Sequence, residues 1–213
     1  MGWLRLLLLV AVARPLARFF TGADVIGREH LPTKGPAIVA ANHNSHVDTL
    51  LLLTIFPARA MGRVRPAAAA DYFLKDPMIG WFSRNIIGIV PVARDKAGSG
   101  EDVLAPAREA LAAGDIVVIF PEGTRGDASD DMARLKGGVA RLAESFPDAP
   151  VTPVWIQGAG RVLPKGAHLP VPMNCAVVVG EPIRWEGKRA AFMDALRESL
   201  AALKAKAPPL RWS

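Results

Sequence analysis

The sequence predicts an α/β fold, a single layered domain with a largely parallel central sheet flanked by helices. Three observations carry this. Ile116-Val117-Val118-Ile119-Phe120 and Ala37-Ile38-Val39-Ala40-Ala41 are short, wholly apolar runs of strand length. Stretches of helical length lie between such runs, among them Glu101 to Ala113, closed by Gly114. The two kinds alternate along the chain, as in crossover-connected parallel sheets. At 213 residues with 51% hydrophobic and 22% charged residues, the chain suits one domain with a sizeable core and is too apolar for disorder.

The elements follow in order. Residues 3–20 read WLRLLLLVAVARPLARFF, with an uninterrupted apolar run from Leu6 to Ala13. That run is far short of the ~20 residues that span a bilayer. Arg14 and Arg18 lie one turn apart on a helix, Pro15 interrupts it, and Trp3, Phe19 and Phe20 suit a headgroup boundary. Residues 1–23 are therefore expected to form a short membrane-surface segment that lies at the interface rather than crossing it. A short helix packed on the core and a secretory leader cleaved after Ala11-Val12-Ala13 are the other readings of these residues. A mature chain starting at Arg14 would exclude an anchor.

Beyond it, 37–41 reads as a strand, Val47 to Phe56 as a helix closed by Pro57, and 66–70 as a further strand. Pro77 to Phe82 opens a helix, since proline fits a first turn. Ile86 to Val92 reads as a strand with Pro91 at an edge or end. Helices over 101–113, 137–145 and 188–205 and strands over 116–120, 151–156 and 175–180 complete the series. No repeat, long linker or second domain interrupts residues 24–213.

Lys and Arg number 26 against 20 Asp and Glu, so the surface attracts anions without specifying which. Tyr72 is the only tyrosine, aromatic residues are 7%, and no aromatic and basic side chains interleave as a base-stacking platform would require; no nucleic-acid partner is expected. Cys175, the single cysteine, lies in a strand-like run and reads as inert and buried. No spacing suggests structural zinc.

Two polar clusters interrupt this pattern. Asn42-His43-Asn44-Ser45-His46-Val47-Asp48 joins a strand to a helix, where α/β proteins commonly place ligands. His43 and Asp48 are five apart, and a turn can return the carboxylate to the imidazole. A carboxylate on one ring nitrogen fixes the tautomer and frees the other nitrogen as a base toward a hydroxyl. Ser45 reads as a helix cap with Asp48 as its capping-box partner; no nucleophile-elbow pattern surrounds it. His43, His46 and Asp48 as metal ligands is the alternative, without an HExxH pattern to support it. A polar helix start without chemistry also fits the segment alone. His30 and His168 read as surface or loop residues.

The second cluster, Phe120-Pro121-Glu122-Gly123-Thr124-Arg125-Gly126, ends the strongest strand. Arg125 offers a planar fork to a phosphate, Gly123 permits close backbone approach to an anion, and Glu122 can hold Arg125 or a substrate hydroxyl. Lys136-Gly137-Gly138 adds positive charge before a helix, without P-loop spacing. Arg94, ending Gly88 to Arg94, is a further phosphate contact or a solvated strand end. An ordinary turn with a surface ion pair is the plain reading of the second cluster.

In order and separation, these blocks resemble the glycerolipid acyltransferase family that includes bacterial 1-acylglycerol-3-phosphate acyltransferases. Asn42-His43 with Asp48 resembles its first block, Gly88 to Arg94 its second, Phe120 to Arg125 its third, and Val151-Thr152-Pro153-Val154 its fourth. Val90-Pro91 replaces the usual aromatic interior of the second block. Similarity runs from about residue 24, with Val25 to Pro32 as the entry, to about 184, with Gly180-Glu181-Pro182-Ile183 as the exit. The resemblance implies the glycerolipid acyltransferase fold over residues 24–213. It implies His43 as general base oriented by Asp48. Arg94 and Arg125 would hold an acceptor phosphate in a site shaped by Glu122, Gly123 and Thr124, with Lys136 adding charge. It implies no bound cofactor and no metal, with acyl-CoA or acyl-carrier protein as donor and a lysophospholipid, commonly 1-acylglycerol 3-phosphate, as acceptor. Attachment would be peripheral or monotopic, to membrane lipid at the cytoplasmic face of the cell membrane. A related acyltransferase for glycerol 3-phosphate or another lysolipid, and a non-catalytic anionic-lipid-binding protein, are the rival expectations; only the latter has no use for His43 facing Asp48.

Overall fold

The computed structural model describes residues 2–69, 77–92, 102–123, 132–164 and 169–209, without the side chains of His46, Pro77 and Ile79. One seven-stranded sheet organises them, in the order β1-β7-β6-β2-β5-β3-β4. Its strands are β1 (Asp24–Ile26), β2 (Ala37–Ala41), β3 (Val64–Ala69), β4 (Val90–Val92), β5 (Ile116–Ile119), β6 (Val151–Gln157) and β7 (Ala176–Val179). Every neighbouring pair is parallel except β6 with β7. The sheet is therefore mostly parallel, with β1 and β7 running against the other five strands.

The described helices are α1 (Gly2–Leu8), α2 (Arg14–Thr21), α3 (His46–Ile55), α4 (Ala58–Met61), α5 (Pro77–Phe82), α6 (Ala105–Ala112), α7 (Gly138–Ser145), α8 (Ala159–Val162) and α9 (Arg189–Lys206). The steps from β2 through β3 to β4 move outward in the sheet, and the steps from β4 through β5 to β6 move back. Right-handed crossovers then put their helices on opposite faces. Accordingly α3 packs on the face carrying Val39 and Val118. Helices α6 and α7 pack on the face carrying Ile38 and Val117, together with α9. Helix cover on both faces explains why β2 and β5 are apolar at every position and wholly buried.

Three local differences from the sequence reading have physical causes. The strand expected over 86–92 begins only at Val90, because Ser83–Ile87 continues α5 as a π-helical segment and Gly88 turns the chain at φ 76°. Packing of Ile86 into the interior overrides the β preference of Ile86 and Ile87. Helix α6 starts at Ala105, with Pro106 in its first turn. The N-terminal residues form a helix from Gly2 to Thr21 that changes to π-helical winding over Leu9–Ala13, next to Pro15. Proline has no N–H for the regular ladder, and the wider turn absorbs the defect.

This N-terminal helix packs along α3, with Leu9 fully buried. Arg5, within the first turns of this helix, points inward and is 5% exposed. Its guanidinium donates to the carbonyls of Gly62, Val64, Ile86 and Ile87. Arg14 likewise donates to the Thr54 and Phe56 carbonyls at the end of α3, while Arg18 stays exposed. No helix among the described residues is long and apolar enough to cross a membrane.

Candidate active site

The site is built where β2 and β5 end side by side. These strands are parallel, with Ala40 opposite Ile119. Their next residues therefore leave the same sheet edge in step. Odd positions of β2 and even positions of β5 face α3, so His43 and Phe120 emerge on the same side. Their rings stack at 4.1 Å between centroids and 22° between planes.

Helix α3 begins directly over them. Ser45, in extended conformation, caps it, and Asp48 returns the capping-box contact. Asp48 Oδ2 accepts from the backbone N–H groups of Asn44 at 2.6 Å and Ser45 at 2.8 Å. The same oxygen lies 3.0 Å from His43 Nδ1. With 0% exposure, the carboxylate is held by backbone donors and the first turn of a helix, where negative charge is favoured. Nδ1 must carry the proton in that contact, which leaves the Nε2 lone pair free. The imidazole is only partly buried, with 17% of its side chain exposed. The spacing of five thus does what a turn allows and a regular helix face does not.

Ser45 is completely buried, and its hydroxyl donates to the Leu163 carbonyl at 3.1 Å while accepting from the Val47 N–H. That leaves it committed as a cap rather than poised as a nucleophile. Cys175 is buried, as its strand-like setting suggested. Among the described residues no group of three or more His, Cys, Asp or Glu side chains is gathered to hold a metal.

Glu122 sits three residues past the end of β5, beside the backbone of His43. It is 3% exposed, and neither oxygen has a hydrogen-bond partner among the described residues. Burial pushes its pKa up from 4.5 to about 7. The His43 backbone N–H pulls the other way without reaching hydrogen-bond geometry, and the negative Asp48 adds a further rise. Gly123 follows at φ 71°, and a Cβ there would come within 2.7 Å of Lys136 Nζ. The left-handed turn favours glycine here, and the Lys136 side chain lies across it. The Lys136 N–H donates to the Pro121 carbonyl at 2.7 Å. Glu122 thus lies beside the His43 backbone, and Lys136 is brought across the turn at Gly123. Arg94, Thr124, Arg125 and His168 lie outside the described residues; His30 is partly exposed on a short 3₁₀ turn.

Two side chains within the motifs, Asn42 and Phe120, have positioning roles that the sequence reading did not assign. Asn42, 1% exposed, donates from Nδ2 to the Ile156 carbonyl at 2.8 Å and accepts the Ile156 N–H at 2.6 Å. It extends the β2–β6 ladder one step with a side chain in place of backbone, fixing where His43 leaves the sheet. Its signal is an amide directly after a buried strand. Phe120 had a signal too, since period-2 continuation of β5 assigns its face.

Residues 22–157 match the Acyltransferase family model, a span that includes Asn42, His43, Asp48, Glu122, Gly123 and Lys136. The chain belongs to this acyltransferase family. It is 28% identical over 184 residues to a chloroplastic 1-acyl-sn-glycerol-3-phosphate acyltransferase of Brassica napus, covering 85% of this chain and 51% of that protein. A chloroplastic enzyme of the same name from Arabidopsis thaliana is 30% identical over 166 residues, covering 77% and 44%. The chain therefore spans about half the length of these curated relatives. Among solved structures, the 1-acyl-sn-glycerophosphate (LPA) acyltransferase PlsC of Thermotoga maritima superimposes with a TM-score of 0.70 at 25% identity, covering 94% of this chain and 80% of that one.

Proposed function

We propose that this protein transfers a fatty acyl group from an acyl thioester to the free sn-2 hydroxyl of 1-acylglycerol 3-phosphate, giving phosphatidic acid, at a membrane surface. The observation that carries the proposal is the His43 imidazole, held through Nδ1 by a buried carboxylate so that Nε2 is the nitrogen left to act as base. The family and the names of the relatives support the substrate class.

In this reading His43 Nε2 takes the hydroxyl proton as the lipid oxygen attacks the thioester carbonyl. Asp48 holds the tautomer and stabilises the imidazolium that forms. The tetrahedral intermediate collapses, the carbon–sulfur bond breaks, and the leaving thiolate recovers the proton from His43. No protein nucleophile takes part. Holding donor and acceptor together converts a collision into an oriented step. Arg94 and Arg125 bind the acceptor phosphate, with Glu122, Gly123, Thr124 and Lys136 shaping its site. The donor is acyl-CoA or acyl-carrier protein, and no cofactor is consumed. Residues 24–213 form the acyltransferase domain and residues 1–23 its membrane-surface segment, peripheral or monotopic at the cytoplasmic face.

The test is incubation with a panel of lysolipids and both donors, followed by product mass analysis. Transfer is expected to be best to 1-acylglycerol 3-phosphate and to fall by roughly 10²–10⁴ in His43→Ala, the usual loss of a general base. Near-normal turnover by that variant would remove His43 from the mechanism.

A further inference from the structure

Nine of the twelve large apolar side chains exposed among the described residues lie on two helical segments, the others being Ile26, Leu169 and Val171. Six large apolar side chains are exposed on the N-terminal helix, including Trp3 (74%), Leu7 and Phe19, and three more, Met78, Trp81 and Phe82, on α5. By contrast α6, α7 and α9, which cover the other face of the sheet, expose no large apolar side chain. The two apolar segments are structurally joined. Helix α1 packs against the Ser83–Ile87 segment that continues α5, and Arg5 donates to the carbonyls of Ile86 and Ile87.

Charge identifies what covers this face. Residues 2–21 and 77–87 contain no Asp or Glu in a chain that has 20 acidic residues, but they carry Arg5, Arg14, Arg18 and Arg84. Arg5 and Arg14 are turned to backbone carbonyls, so the charges left outside are the exposed Arg18 and Arg84. A second copy of this chain would bring the same cations and no acidic partner to the contact. An anionic bilayer supplies both complements, an apolar interior and negative headgroups, and aromatic side chains favour its boundary.

We propose that α5 is a second bilayer contact, with Met78, Trp81 and Phe82 entering the interface of an anionic membrane alongside the N-terminal helix. The inference rests on the reading that the acceptor is a membrane lipid. It extends membrane contact from the leading segment into the body of the domain. Helix α5 follows β3 at the end of the sheet where His43 lies, so its insertion holds that end against the lipid.

The experiment uses the full chain and a Met78→Gln/Trp81→Gln/Phe82→Ser variant. Each is sedimented with vesicles of phosphatidylcholine alone or mixed equally with phosphatidylglycerol. Partitioning to the mixed vesicles is expected to fall by about tenfold or more in the variant. Transfer to a short-chain lysolipid dispersed as monomers should stay within about twofold of the parent. Unchanged partitioning overturns the α5 contact while leaving the acyltransferase reading intact. Absence of transfer to every lysolipid by the parent chain counts against that reading alone, since partitioning is measured without substrate. A second measurement does not depend on the triple variant folding. Lipids brominated in the acyl chain should quench a fluorescence component that Trp81→Phe removes; no such component would equally overturn the contact. Loss of a dimer in the variant, with vesicle partitioning unaltered, would assign the face to self-association instead.

Discussion

Burial leaves both Glu122 oxygens without a hydrogen-bond partner among the described residues and raises the carboxyl pKa to about 7. Between about 4.5 and about 7 the folded state therefore holds a proton that the unfolded state releases. Stability from this group is complete below the unfolded value and is lost as pH rises through the folded one. The shift corresponds to at most about 3 kcal/mol. Glu122→Gln is accordingly expected to flatten the decline in folding stability between about pH 4.5 and 7, read by urea unfolding at a series of pH values. Parallel pH profiles for parent and variant would place the origin of the decline elsewhere. The same residue marks a boundary of what sequence reveals. The His43–Asp48 pair was legible because both partners sit within one strand-to-helix junction, and the capping pattern that places Asp48 is local. The protonation of Glu122 was not, because its burial arises from β2 and β5 lying side by side, more than seventy residues apart in the chain. The positioning role of Asn42 was hidden for a related reason: its partner, Ile156, belongs to a strand near the far end of the matched region.

At the scale of elements, strands and helices followed from local pattern wherever burial was uniform. β5 was plain because all its positions are apolar and all are buried. The segment 86–92 misled because Ile86 and Ile87 look like strand residues but close a helix whose carbonyls are received by Arg5. That guanidinium is the joint between α1, β3 and the segment after α5. Burial lowers its pKa to about 10, helped by the nearby Arg65 and opposed by Asp115, so it stays charged at neutral pH. Arg5→Ala would strip four carbonyls of a charged donor, and hydrogen bonds to charged groups each contribute about 1.5–3 kcal/mol. Allowing for water entering the gap, a loss of roughly 2–4 kcal/mol is expected, measured as a reduced urea midpoint with unchanged slope. A loss within about 0.5 kcal/mol, typical of surface substitutions, would mean that water replaces the guanidinium without penalty. An arginine two residues after Trp3 reads as interfacial when only its neighbours are known; its partners, Gly62, Val64, Ile86 and Ile87, become visible only in the fold.

On the whole-molecule scale, a strand order with β2 flanked by β6 and β5 brings Asn42, Phe120 and Ile156 to one sheet edge and sets His43 among them. The order of the motifs along the chain was legible; their convergence required the topology. The same topology bears on how separable the N-terminal helix is. Sequence divides the chain at residue 23, yet Leu9 and Ala17 are buried and Leu6, Val10 and Phe20 pack against the same core as α3. Arg14 also supplies donors to the end of α3. The fully buried Leu9 contributes about 1.5–3 kcal/mol, and with the partly buried apolar side chains and the charged hydrogen bonds of Arg5 and Arg14, about 1.5–3 kcal/mol each, the segment approaches the ~5–15 kcal/mol that typically holds a domain folded. A fragment of residues 24–213 should therefore lose cooperative unfolding, or at least roughly 5 kcal/mol of stability in urea, in buffer without any membrane. The absence of membrane is the decisive condition, because a helix serving only to reach lipid would leave the fragment as stable as the full chain. Equal stability of the two would make residues 2–21 a detachable anchor; a large loss would make them one layer of the domain whose outer side meets the bilayer.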